Sequence, residues 1–452
     1  MIVTFSVSNF LSFAEEETIS LVASKRLDSA HPHHAIPIPG SGEKVLRSAV
    51  LYGANGAGKS NLVEALRFFR SIAIRQRSEG AGTGRTAFRF GNQDEPSTFD
   101  LQFISGDKLY RLGFKLDDRR VIEEWLVQIA GHEKTLYERV TAADGKVTVD
   151  ARGLGKSSKL RKLSDVGCPP NQSFLASAAG LVVQSQFGPQ VGPVLNFLRD
   201  GLMLIRPDAP FGPLAKFLAD DSELRTFAGD FLRRSSTGVQ RLEVSETPFT
   251  EAELRKLMPG QVADMFLEST GKSPSASILP LPDGAELFVG PNGDQKRRYS
   301  VQTIHAGYDG QPVKLSLREE SDGTRRLLDL IPALHESSTG GGVYVIDEID
   351  RSLHPILARG FLNYFLNNCR GHLRQLLVTT HESSLLDLDL LRRDEVWFAE
   401  KDERGATRLY SLADFKVRND LEIRKHYLAG RFGAIPFLGN FDRLMEESAE
   451  VK

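Results

Sequence analysis

The sequence predicts an α/β fold: a mixed, largely parallel sheet around a phosphate-binding loop, with an antiparallel β-subdomain and a helical insertion. Three observations carry this. An apolar stretch, Val45–Tyr52, runs into a glycine-rich turn and then an amphipathic helix. Two more apolar strands follow far downstream, Gly342–Ile346 and Gln375–Thr379, with a helix between them. The strand-rich composition gives way to helical patterning near Gly153, and strands return at Glu286.

Taken in order, Ile2–Val7 alternates as a strand, Thr18–Val22 reads as its partner, and Val45–Tyr52 is a buried strand. From Asn61 to Gln76 the residues Leu62, Ala65, Leu66, Phe69 and Ile72 share one helical face. A glycine-rich loop covers Glu79–Gly91, then three short strands are expected at Phe99–Ile104, Leu109–Leu116 and Thr135–Val140. Gly106 and Asp107 supply a hairpin turn between the first two. Helices are expected at Gly192–Leu202, Gly212–Leu218, Ser222–Leu232 and Glu251–Glu268, broken by Pro207, Pro210, Gly229, Pro248 and Pro259. No heptad pattern survives three repeats, so this is a compact lobe and not a coiled coil. Strands at Glu286–Val289 and Arg298–Ile304 precede a helix over Gly323–His335; another helix spans Pro355–Asn368. The expected division is 1–150, with phosphate loop and β-subdomain; 151–280, the insertion; 281–415, a C-terminal α/β lobe; and 416–452, a tail.

At 452 residues the chain suits two or three domains, and 40% hydrophobic with 26% charged residues excludes global disorder. A net charge of −2 gives no overall attraction to polyanions. Cys168 and Cys369 stand apart with no CxxC spacing, as expected for reduced cytosolic thiols. No 18-residue apolar run occurs, and the start MIVTFSVSNFLSF has neither a basic region nor a long apolar core. A cytoplasmic protein without membrane contact is therefore expected.

The chemistry concentrates in GANGAGKS, Gly53–Ser60, which meets G-x-x-x-x-G-K-[ST] at every fixed position and sits between a strand and a helix. Such a loop aims successive N–H groups at phosphate oxygens, and the helix N-terminus adds its positive end. Asn55, Gly56, Ala57, Gly58, Lys59, Ser60 and Asn61 are the expected nucleotide contacts, with Lys59 on the β/γ-phosphates and Ser60 on Mg²⁺. A second GKS at Gly155–Ser157 has Asp150 where the first glycine belongs and reads as a solvated loop. The strand in GGVYVIDEIDRSLHP ends in two acids beside the phosphate-loop strand: Asp347 is expected to hold Mg²⁺ through water and Glu348 to activate the attacking water. His381 ends the strand in LLVTTHES, on the ligand side of a parallel sheet, within reach of a γ-phosphate. His31, His33 and His34 lie in a proline-rich loop with no Cys nearby, so no metal is expected there. The stretch ESDGTRRLL is a sound helix start, with Ser321 or Asp322 as cap.

Together these pieces resemble ABC-type ATPases of the RecF/SMC kind, and among them the RloA-like group, AAA family 15, found beside bacterial restriction and anti-phage systems. VSNFLSFAEE, the phosphate loop, ESDGTRRLL, VIDEIDRSLHP, LVTTHESSLLD and RKHYLAGRFGAIP carry the resemblance, in that order. It implies an ABC-ATPase head that pairs into a homodimer, or a higher oligomer, around two ATP molecules with Mg²⁺. Ser321 and Gly323 then match the signature segment that touches ATP on the partner subunit, with Asp322 replacing its first glycine. Asp350 matches the dimer-contacting loop, His381 the switch histidine, and Gln172 is the candidate for the Mg²⁺-sensing glutamine. Unlike SMC proteins, the chain has no long coiled coil, and it shows no nuclease signature.

The resemblance thus implies an ATPase that controls a separate effector, a nuclease or toxin, in anti-phage defence. Two other readings stay open: a RecF/SMC-like DNA-repair ATPase, and an ATP-bound scaffold with little turnover. Basic clusters at Lys156–Lys162, Arg233–Arg234, Lys296–Arg298 and Arg392–Arg393 are small and poor in aromatics, so nucleic-acid contact is an option and not a requirement.

Overall fold

The computed structural model describes residues 1–435, except 79, 157, 182–186, 210, 272–275, 336–340, 369–372 and 417–421. Cys369, Ser157 and the end of the glycine/aromatic tail lie outside the described residues.

The central sheet has six strands in the order Leu202–Ile205, Gly341–Ile346, Leu373–Thr380, Ser48–Tyr52, Val396–Lys401 and Thr407–Ser411. The first five run parallel and the last is antiparallel. Side chains alternate between its faces, so each face needs its own cover. Ala49, Leu51, Val343, Val345 and Leu377 pack with the helix Lys59–Ile74 and a second sheet. Val50, Tyr52, Tyr344, Ile346, Leu376 and Val378 face the helices Ser222–Arg234, Asp322–Leu330 and Pro355–Asn368. The sheet is buried on both sides, as its near-continuous apolar strands require.

The second sheet has seven strands and is antiparallel throughout, with Ile2–Ser8 between Glu17–Ser20 and Ser97–Ser105. The hairpin at Gly106, where φ is 62°, forms between Ser97–Ser105 and Lys108–Leu116. Sheet pairing then continues through Val121–Ile129, Glu133–Thr141 and Val147–Asp150. The strand Val121–Ile129 was not expected, because Glu123 and Glu124 interrupt its apolar pattern. Glu124 is nevertheless buried: its carboxylate accepts from Tyr137 Oη at 2.7 Å and from the backbone N–H of Phe174 at 2.6 Å. Burial pushes its pKa up, against the pull of Arg139 and these donors.

Between 153 and 275 the expected helices form around Gly188–Asn196 with a further helical turn Phe197–Gly201, Leu214–Asp220, Ser222–Arg234, and the pair Glu251–Leu257 and Gly260–Gly271, separated at Met258–Pro259. This stretch also supplies two unexpected strands. Leu202–Ile205 enters the central sheet, and Val239–Pro248 pairs with Lys296–Ala306 in a five-stranded antiparallel sheet. Val239–Pro248 lacks clean alternation because it is mostly exposed, carrying Arg241, Glu243 and Glu246 in ion pairs.

Candidate functional site

All five parallel strands end on one edge, where ligands bind in open α/β sheets. Ser48–Tyr52 runs there into the phosphate loop. Gly56 and Gly58 take φ of 78° and 103°, which side chains rarely adopt. At Gly58 a Cβ would also lie 2.0 Å from Thr407 Oγ1, so only glycine fits. Thr407 Oγ1 donates to Ala57 O at 2.9 Å and meets Ser12 Oγ at 2.7 Å, and Asn61 Nδ2 donates to the same Ser12 Oγ at 2.7 Å. The N-terminal turn and the strand Thr407–Ser411 thereby brace the loop from outside. Asn55 and Gly56 stay exposed at its tip.

Lys59 is buried, and its Nζ donates to Gly53 O at 2.7 Å and Ala54 O at 3.0 Å, so the chain curls over the loop it belongs to. Burial lowers its pKa, while Glu348, Asp347 and Asp350 pull it back up. A phosphate on the loop would replace those carbonyls as the ammonium's partner.

Ser60 Oγ donates to Asp347 Oδ1 at 3.2 Å, which brings the two expected Mg²⁺ ligands together across the sheet. They do not come from adjacent strands. The strand Leu373–Thr380 lies between the phosphate-loop strand and the acidic strand, and its Thr379 Oγ1 donates to the same Asp347 Oδ1 at 2.5 Å. A hydroxyl, a carboxylate and open solvent are a donor set that fits Mg²⁺, which keeps several waters of its own.

Glu348 follows with φ of 50°, a left-handed conformation that costs about 1–3 kcal/mol in a non-glycine residue. Neighbours hold it there: its N–H donates to Thr379 Oγ1 at 2.8 Å, and its carbonyl accepts from Arg326 Nη2 at 2.9 Å. Its carboxylate stays partly exposed, with Arg351 at 3.9 Å. Asp350 is nearly buried, accepting from Thr380 Oγ1 at 2.6 Å and lying 3.0 Å from Nε2 of the exposed His381. Acidic pair, histidine and phosphate loop thus share one edge.

Ser321 caps the helix Asp322–Leu330, its Oγ accepting from Thr324 N–H at 3.1 Å. Asp322 is exposed and pairs with Arg325 on its own helix. A Cβ on Gly323 would lie 3.0 Å from Ser352 O, so the helix start rests against the turn after the acidic pair. Gln172 goes elsewhere. It accepts from Arg77 N–H at 2.7 Å and donates to Ser177 Oγ at 2.6 Å, beyond the far end of the helix Lys59–Ile74. Sixteen residues at 1.5 Å each put that end about 24 Å from the phosphate loop. The structure does not bring Gln172 to the site.

Four site residues were not singled out from the sequence: Ser12, Thr379, Arg326 and Thr407. Thr379 and Thr380 had a visible signal, a polar pair closing an apolar strand; Thr407 belongs to no motif. Among the basic clusters, Arg233 pairs with Asp230, Lys296 with Glu251, Arg298 with Asp283, and Arg392 is buried against Asp394. The proline-rich loop docks through His34, whose Nδ1 meets Glu395 at 2.9 Å.

No curated protein matches the chain. Among solved structures, an SMC head domain from Thermotoga maritima is 12% identical, covering 91% of this chain and 98% of that one, at a TM-score of 0.37. An SmcHead bound to the C-winged helix domain of ScpA is 14% identical, covering 91% and 97%, at a TM-score of 0.38. Residues 48–387 match the family described as "AAA domain, putative AbiEii toxin, Type IV TA system". That span runs from the phosphate-loop strand past His381, and the chain belongs to this AAA-domain family.

Proposed function

We propose that the protein is an ABC-type ATPase that binds and hydrolyses ATP at a homodimer interface and uses the cycle to control a separate effector, a nuclease or toxin, in anti-phage defence. The observation that carries the ATPase reading is the convergence on one sheet edge of Lys59, Ser60, Asp347, Glu348 and His381. The effector and the defence role rest on the sequence resemblance.

Residues 53–61 would bind the phosphates, with Ser60 and Asp347 holding Mg²⁺, which when bound neutralises the charge developing on the phosphoryl oxygens. Lys59 would leave Gly53 O and Ala54 O for the β/γ-phosphates. Glu348 would take a proton from the attacking water, its backbone fixed by Thr379 and Arg326 so that the carboxylate needs no search. His381, oriented by Asp350, would contact the γ-phosphate. Ser321 and Gly323 would act on the partner subunit's nucleotide, and residues 151–280 would move with the cycle.

The test is Glu348→Gln. Expected are unchanged ATP binding, a turnover reduced about 100-fold or more, and a longer-lived ATP dimer. Turnover and dimer lifetime both untouched would remove Glu348 as the base.

A further inference from the structure

Arg326 occupies an unusual place for a charged side chain. It lies on the helix Asp322–Leu330, five residues after the cap Ser321, and is 5% exposed. Its Nη2 donates to Asp347 O at 2.7 Å and to Glu348 O at 2.9 Å, while Nη1 donates to Arg206 O at 3.0 Å. These carbonyls end two neighbouring parallel strands, Leu202–Ile205 and Gly341–Ile346, where the backbone leaves the sheet. One guanidinium therefore fastens both strand ends to the helix.

Burying an unpaired guanidinium would be costly, and one that serves only packing is readily replaced by an apolar group. Here the donors go to the left-handed turn at Glu348, a conformation that persists only if its surroundings hold it. Thr379 supplies one restraint and Arg326 the other. The helix start touches the same turn again at Gly323 and Ser352. A cavity of about 720 Å³ lies along this contact, lined by Asp322, Arg325 and Arg326 of the helix and by Arg351 and Ser352 of the turn, and among the described residues Nε of Arg326 has no partner. The start of the helix is thus tied to the catalytic turn, with open space along the contact between them.

We propose that Arg326 is a positioning residue coupling the two ATP sites of a dimer. Phosphate bound at Ser321 and Gly323 belongs to the partner's nucleotide; the shift it imposes on the helix reaches Glu348 of the same chain through Arg326. Each nucleotide then prepares hydrolysis in the opposite site. This rests on the dimeric ATPase reading above.

The experiment compares full-length wild type with Arg326→Gln and Arg326→Lys, measuring ATP binding, turnover against ATP concentration, and melting temperature. Wild type is expected to hydrolyse ATP with a Hill coefficient above 1. Gln has one amide nitrogen and cannot span three carbonyls. That variant should lose about 10–100-fold in kcat, the scale of a small misplacement, with ATP affinity within about twofold and a Hill coefficient near 1. Lys should recover part of kcat and part of the cooperativity. If the Gln variant does not fold, the Lys variant decides: a Hill coefficient equal to wild type overturns the proposal. So does a loss of kcat in Gln with cooperativity intact, or a non-cooperative wild type. If Glu348→Gln also retains turnover, the ATPase reading itself has failed, and the two failures are told apart.

Discussion

Asp347 shows how much one side chain is asked to do. Its Oδ1 accepts from both Ser60 and Thr379, and its carbonyl is held by Arg326. Thr379→Ala should weaken Mg²⁺-dependent ATP binding and release the Glu348 turn, lowering turnover about tenfold, since a buried acceptor loses a donor worth about 1.5–3 kcal/mol. Lys59→Ala should weaken ATP binding by about 100-fold, because the ammonium is the loop's only charged donor among the described residues. Both are read by nucleotide titration, and unchanged affinity in the Lys59 variant would remove it from the site. By the sequence resemblance Asp322 stands where a glycine would face a partner's triphosphate, and Arg325 pairs with it. Asp322→Gly should still lengthen the ATP-dimer lifetime by removing a charge near phosphate, and a shorter lifetime would argue against that position.

Among the elements, the helix Asp322–Leu330 has the proposed partner-site contact at its start and a partly buried acid near its end. Asp329 accepts from Phe211 N–H at 2.8 Å, and burial raises its pKa to about 6. The folded pKa exceeds the unfolded one, so the ionised form opposes folding at neutral pH, and the opposition fades as pH falls from 6 towards 4. Asp329→Asn should therefore stabilise the protein at pH 8 by about 1–3 kcal/mol, with the gain shrinking to nothing near pH 4 in denaturant melts. The legibility of elements follows the same physics. The phosphate-loop strand and its helix were plain because burial on one face leaves a period that survives in the residues. The strand Val121–Ile129 was hidden by Glu124, a buried acid satisfied by distant Tyr137, Phe174 and Leu175. Val239–Pro248 was hidden because exposure leaves no pattern to read. Thr407 braces the loop from the far end of the chain, a relation that only the fold creates.

For the whole molecule, the central sheet gathers strands from three distant parts of the sequence, so the edge that holds the phosphate loop is complete only in the folded chain. The motifs could be assigned to an edge, but not the intervening strand that puts Thr379 between Ser60 and Asp347. Membership of the AAA-domain family fixes the frame. The proposed dimer depends on a shared site, with Lys59 of one subunit and Ser321 of the other acting on one nucleotide. Lys59→Ala and Ser321→Arg chains should each be inactive alone. After mixing in equal amounts and exchange, about half of the dimers carry one intact composite site, so ATPase activity should return. Two-fold symmetry sets a ceiling of about a quarter of wild type, and the value should fall below it because the opposite site is disabled. No recovery on mixing, with subunit exchange confirmed, would contradict the claim.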